Sequence, residues 1–288
     1  MVSDIAIVHF QNKNDMKKII LAFDGKHFSE GVMQMAEWLN EHQPVLMTGV
    51  FLSPVDYREI IGYSGMGIGT PVMMPPIETD DSLVNENIRR FQQRCEHGGF
   101  EFRIHKDTDL FALQELITET RFADLLVVSS ELFYENIQKN QPNDYLRKTL
   151  HESECPVMLV PEHFVPPFSL ILSYDGKASS VFAIKQFSYL FPELGNLETL
   201  LVCLDADEEE LPNRENIGEL CARHFDNLTM EHLAGENKKS FAAWVSEKRG
   251  SMLVTGAFGR GELSSLFRKS FITDVIREHK IPIFIAHQ

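Results

Sequence analysis

Short apolar runs recur along the chain, each bounded by glycine, proline or acidic residues and most followed by a stretch whose apolar positions fall three or four apart. Runs of this length with such borders read as buried strands, and the three-four spacing reads as helix. Lys18-Ile19-Ile20-Leu21-Ala22-Phe23 opens the series after a polar lead-in over residues 1 to 17; Asp24-Gly25-Lys26 closes it, and a helix follows from Ser29 to Glu41. A strand from Val45 to Leu52 precedes a helix near Leu83 to His97, a strand from Phe100 to His105, a helix near Leu110 to Arg121 and a strand from Asp124 to Val128. The run Cys155-Pro156-Val157-Met158-Leu159-Val160 ends this series, and the pattern assigns no helix between it and Val128.

The same figure then returns. Leu170-Ile171-Leu172-Ser173-Tyr174 is followed by Asp175-Gly176-Lys177 and a helix from about Ser179 to Leu190, and both copies share Asp-Gly-Lys-x-x-Ser, from Asp24 to Ser29 and from Asp175 to Ser180. Strands at Leu197–Cys203, Leu228–Leu233 and Met252–Thr255 alternate with helices at Ile217–Phe225, Ser240–Lys248 and from Phe271, and Ile281-Pro282-Ile283-Phe284-Ile285-Ala286 repeats the earlier Cys-Pro ending. Agreement at the start and the end of each copy indicates an internal duplication. Asp24 and Pro156 stand 132 positions apart and Asp175 and Pro282 stand 107, so the first copy is 25 residues longer. The excess fits Ser53 to Asp80, where Gly62, Gly65, Gly67, Gly69, Pro71, Pro75 and Pro76 interrupt any helix or strand and Met66, Ile68, Val72, Met73 and Met74 are apolar. That insertion reads as a surface loop or, given its methionines, as a lid or partner contact.

Strands alternating with helices at this spacing predict an α/β fold, each copy a five-stranded parallel sheet with helices on both faces. The boundary falls at Pro161 to Pro167, a short proline-stiffened linker between domains at 1–162 and 168–288. A chain of 288 residues, 43% hydrophobic and 24% charged, suits two globular units. Its net charge of -15 argues against a broad nucleic-acid or anionic-membrane surface but leaves room for one small anion pocket. Cys95, Cys155, Cys203 and Cys221 lack metal-ligand spacing and read as reduced thiols of a cytoplasmic protein, and no apolar run reaches the length of a membrane span. The histidines form no metal or protease motif, and the acidic run Asp205 to Glu210 reads as a solvated loop.

Candidate chemistry gathers after Met252-Leu253-Val254, where Thr255-Gly256-Ala257-Phe258-Gly259-Arg260-Gly261 begins a loop that runs through Arg268, Lys269 and Ser270 into a helix. Glycines admit close backbone approach and a helix N-terminus offers unpaired N–H groups, so phosphate is the natural occupant, with Ser270 as donor and Arg260, Arg268 and Lys269 supplying charge. The segment resembles the G-x-x-G-x9-G-[S/T] signature of the universal stress protein family, with Gly256, Gly259 and Ser270 matching and Lys269 in place of the third glycine. A side chain at 269 either fills the pocket or pairs with an anion.

The resemblance implies two tandem Rossmann-like, adenine-nucleotide α-hydrolase-like domains. It also implies ATP or AMP held by the second, with no metal beyond nucleotide-bound Mg2+. By the same resemblance Asp175, beside Gly176, contacts adenine or ribose, and the backbone near Val202 contacts adenine; read locally, Asp175 equally suits an Asp-Gly turn. Ser180 reads as a helix-capping or surface residue rather than a ligand contact. The first copy places Ser129 and Leu132 opposite Gly256 and Gly259, and its Ser130-Glu131-Leu132-Phe133-Tyr134-Glu135 brings carboxylates where phosphates would lie, so it is expected not to bind ATP in that manner. The chain reads as a non-enzymatic nucleotide-binding regulator, an intramolecular pseudo-dimer joined through Val157–Val160 and Ile283–Ala286, with a further homodimer left open. Two alternatives stand beside it, an interaction protein with a vestigial pocket and a weak ATP hydrolase for which no water activator can be named.

Overall fold

A computed structural model of the chain describes residues 17–24, 27–52, 81–107, 112–131, 144–203, 211–233, 238–256 and 271–287. The first copy runs β1 (Lys17–Asp24), α1 (Glu30–His42), β2 (Val45–Leu52), α2 (Asp81–Gly98), β3 (Phe102–Asp107), α3 (Ala112–Thr120), β4 (Leu125–Ser129), α4 (Asp144–Glu152) and β5 (Val157–Val160). The second repeats it as β6 (Ser169–Tyr174), α5 (Ala178–Leu190), β7 (Glu198–Cys203), α6 (Arg214–Ala222), β8 (Asn227–His232), α7 (Lys238–Glu247), β9 (Ser251–Gly256), α8 (Phe271–Glu278) and β10 (Ile283–Ala286), with a 3-10 turn at Pro192–Asn196 after α5. The helix α4 is unassigned from sequence; among its described side chains Thr149 and Leu150 are buried.

All ten strands join one sheet in the order β3-β2-β1-β4-β5-β10-β9-β6-β7-β8. Pairing is parallel throughout each half, and the halves meet where β5 and β10 pair antiparallel, Leu159 opposite Ile283, Met158 opposite Phe284 and Val157 opposite Ile285. Both strands of this seam are buried along their whole length, as sheet interiors covered on both faces require. At the outer edge β8 alternates exposed and half-buried residues, the pattern of a strand with one wet face.

The helices sort by face. One apolar layer takes Val32, Met33 and Leu39 of α1, Phe91 of α2, Ile184 and Phe187 of α5 and Ile217 of α6; the other takes Leu116 of α3, Leu150 of α4, Phe241 of α7 and Val275 of α8. Such sorting follows from right-handed crossovers on either side of a first strand that lies in the middle of its half. Alternate strand residues feed the two layers, Ile19, Leu21 and Phe23 one and Ile20 and Ala22 the other. Each of these fully buried side chains contributes about 1.5–3 kcal/mol if large. Phe187 of α5 and Phe191, the residue that follows it, lie edge-on to Phe284 of β10, with centroids 5.3 and 6.2 Å away, so the first helix of the second half closes over the seam.

Candidate functional site

In both halves the first strand lies between the second and the fourth, and the strand order reverses there, β2-β1-β4 in one and β7-β6-β9 in the other. Open parallel sheets offer a crevice at the carboxyl ends of the two strands that flank such a reversal. Because β5 and β10 run antiparallel, the two crevices open on opposite edges of the sheet.

The crevice of the second half begins at Asp175, just past β6. Its Oδ1 accepts hydrogen bonds from the Lys177 N–H at 3.1 Å and from the Ser180 hydroxyl at 2.8 Å, and its Oδ2 lies 3.6 Å from the Lys177 ammonium. One oxygen therefore shapes the turn while the other, on a side chain 31% exposed, faces outward beside a cation. Gly176 takes φ +75°, the left-handed conformation that glycine tolerates, and a Cβ there would stand 2.9 Å from Cβ of Pro212. The Tyr174 hydroxyl donates to the Pro212 carbonyl at 2.9 Å, which ties the connection before α6 to the end of β6.

Several sequence expectations acquire a position here. Asp175 does make the local turn, and it does so with a single oxygen. Ser180 is no cap: α5 starts earlier, at Ala178 with Lys177 before it, and the buried Ser180 hydroxyl lies 2.9 Å from the Lys177 carbonyl as well as on Asp175. Ser29 caps its helix, its Oγ accepting from Val32 N–H at 3.2 Å. Val202 is fully buried, one residue inside the end of β7, paired with Ser173 on one side and Glu231 on the other.

Gly256 ends β9, and a Cβ at that position would run into the Ser179 carbonyl oxygen and stand 2.5 Å from the Ser179 carbonyl carbon and 2.7 Å from the Ser180 nitrogen. The missing side chain is what lets the end of β9 lie against the first turn of α5, so this glycine has a packing cause independent of any ligand. It also sets the end of β9 at the same crevice as Asp175. Gly259, Arg260, Lys269 and Ser270 lie outside the described residues, as does the insertion 53–80.

The crevice of the first half is built differently. Aligning Asp24 on Asp175 sets Phe28 opposite Ser179, and Phe28 stacks on Phe23 of β1 with centroids 5.0 Å apart while Phe23 stacks on Phe51 of β2 at 5.0 Å. At the phosphate end, the carboxylate of Glu162 accepts from the buried Ser129 hydroxyl at 2.7 Å and from the Glu30 N–H, the first of α1, at 3.1 Å. The Glu162 N–H in turn donates to the Glu131 carboxylate at 2.6 Å. Burial raises the pKa of Glu131 and the nearby Glu162 carboxylate adds to the rise, while the bond from Glu162 N–H opposes it. Sequence placed Glu131 here but not Glu162, whose partners stand 33 and 132 positions away.

Among the described residues no group of histidine, cysteine and carboxylate side chains could hold a metal ion. None of the four cysteines forms a disulfide, and all four are buried. No described helix is long and apolar enough to cross a membrane.

No protein-family model matches the chain, and no curated protein matches it by sequence. Among solved structures it is similar to a universal stress protein from Archaeoglobus fulgidus, at 14% identity and a TM-score of 0.62, over 94% of this chain and 96% of that one. It is also similar to the cytoplasmic domain of a prokaryotic cation chloride cotransporter, at 9% identity and a TM-score of 0.49, over 94% and 95% of the two chains. The first likeness shows the fold: a mostly parallel ten-stranded α/β sheet of the Rossmann-like kind found in that universal stress protein.

Proposed function

We propose that the chain is a cytoplasmic nucleotide-binding regulator of the universal stress type, holding ATP or AMP in the crevice of its second half and catalysing no reaction of its own. The observation that carries this reading is the contrast between the crevices. In the first, the Glu162 carboxylate takes the Ser129 hydroxyl and the first N–H of α1, and the Glu131 carboxylate takes the Glu162 N–H. In the second, the N-cap Lys177 makes no side-chain cap bond to α5, Asp175 turns one oxygen outward, and the sequence after Gly256 carries Arg260, Arg268, Lys269 and Ser270.

In this reading the outward Asp175 oxygen accepts from a ribose hydroxyl or the adenine amine, and the loop beyond Gly256 neutralises the phosphates. Lys177 then exchanges its pairing with Asp175 for solvent or phosphate. A nucleotide held at this edge of the sheet would present a different surface to a partner, which is how a protein without catalytic groups can report nucleotide level. The competing reading, an interaction protein whose pocket is filled, is favoured by Lys269 standing where the resembling signature has glycine.

Isothermal titration with ATP and with AMP separates the two. The Asp175→Asn variant keeps an oxygen for Lys177 N–H and Ser180 and loses only the charge, so its fold is retained while nucleotide affinity falls by about tenfold, the loss expected for a charge-assisted bond reduced to a neutral one. Saturable binding weakened in this variant supports the proposal. Absence of heat at millimolar nucleotide in the wild-type protein rejects it in favour of the filled pocket.

A further inference from the structure

The first half holds a carboxylate where its fold offers donors. Glu162 is the second residue past β5, and β5 neighbours β4, so its side chain leaves the sheet edge directly beside the end of β4. Two separate elements meet it. Ser129, fully buried at the end of β4, directs its hydroxyl to Oε1, and Glu30 at the start of α1 directs its N–H to Oε2. The backbone on either side is fixed as well: the Glu162 N–H is held by Glu131, and Gly31 packs so closely on Pro161 that a Cβ would stand 2.9 Å from the Pro161 carbonyl carbon and 3.0 Å from the Glu162 Cα.

These contacts use both carboxylate oxygens, and each donor comes from an element that the fold brings to the crevice for its own reasons. A buried hydroxyl and a helix N-terminus facing each other favour an anion on physical grounds. Here the anion is covalently part of the chain, so its effective concentration is high and outside anions compete poorly. The crevice is also tied to the other half, since Ser130, next to Ser129, has its hydroxyl 2.9 Å from Nδ1 of His279 beyond α8.

We propose that Glu162 is an autoinhibitory contact: an internal carboxylate that occupies the first-half crevice and shuts it to external oxyanions of the phosphate class. The idea does not depend on nucleotide binding by the second half. Glu162→Ala removes the occupant and leaves Ser129, Glu30 N–H and the space of a carboxylate, and Glu162→Gln removes the charge but keeps one acceptor.

The test is the melting temperature of wild type and both variants over a titration of inorganic phosphate, with chloride at matched ionic strength as reference. Any phosphate site in the second half contributes equally to all three, so the difference between proteins reports the first half alone. The expected result is a lowered melting temperature for Glu162→Ala without phosphate and a phosphate-dependent rise larger than that of wild type, with Glu162→Gln between them. If Glu162→Ala does not fold, the comparison of Glu162→Gln with wild type decides on the same criterion. A phosphate response no greater in the folded variants than in wild type overturns the proposal.

Discussion

Replacing Gly256 by alanine tests whether the strand-to-loop junction is a packing device before it is a ligand loop. The added Cβ would lie 2.5 Å from the Ser179 carbonyl carbon and 2.7 Å from the Ser180 nitrogen, where ordinary contact begins at 3.4 Å. The nearest obstacles are backbone atoms of the first turn of α5, which no rotamer change can move aside, so either β9 or the helix start must shift by close to 1 Å. Overpacking of this kind costs about 1–3 kcal/mol, and the stiffer unfolded chain of alanine returns roughly 0.4–1 kcal/mol. The net is a destabilisation of up to about 2.6 kcal/mol, and about 1.3 kcal/mol at the middle of both ranges.

Gly218 gives the control. It lies inside α6, and its Cβ would find only Met230 Sδ at 3.7 Å and Met230 Cε at 3.9 Å, so Gly218→Ala gains helix propensity of about 1 kcal/mol without a clash. Urea unfolding of the three proteins, followed by circular dichroism, reads both changes on one scale. A Gly256→Ala protein as stable as wild type would show that β9 and α5 have slack between them. The close-approach argument would then fail. If the destabilisation is found, loss of nucleotide binding in any Gly256 variant cannot by itself locate the ligand, and Asp175→Asn becomes the informative substitution.

Two further predictions concern titratable groups. The raised pKa of Glu131 means that the folded state holds its proton more tightly than the unfolded chain does, so this contribution to stability is present in full below the unfolded value of 4.5 and is lost as pH rises through the folded value. Glu131→Gln keeps an acceptor for Glu162 N–H and cannot ionise. It should therefore be more stable than wild type at pH 7, with the gap closing as pH falls towards 4, and denaturant midpoints across that range check it. Burial pushes the thiols of Cys95, Cys155 and Cys221 up to about 12, so in the native protein they should react with a disulfide reagent orders of magnitude more slowly than after unfolding, when all four cysteines titrate together. Fast labelling of a native thiol, followed spectrophotometrically, would contradict this.

What could be read without coordinates was whatever is local or repeated. Apolar runs gave the strands to within two residues, and the Asp-Gly-Lys-x-x-Ser and Cys-Pro or Ile-Pro endings gave the duplication, because strand burial and turn chemistry are written in consecutive residues. Contacts between distant segments were invisible. Nothing near Glu162 announces that its carboxylate answers Ser129 and Glu30, and nothing near Gly256 announces the approach of Ser179. Ser180 was misread for a related reason: a serine near a helix start is a cap by local statistics, and only the earlier start at Ala178 turns it into the support of Asp175.

The antiparallel seam also sets the terms on which one half can know the state of the other. Between the β1/β4 and β9/β6 gaps lie four strand spacings, roughly 19 Å across the sheet, and the openings face away from each other. At about 8 Å of screening length in physiological salt, a charge arriving at one opening is hidden by solvent from the other. News of a bound ligand must therefore travel through solid material, by routes that include three residue pairs of shared ladder, the phenylalanines laid over them and the Ser130–His279 hydrogen bond.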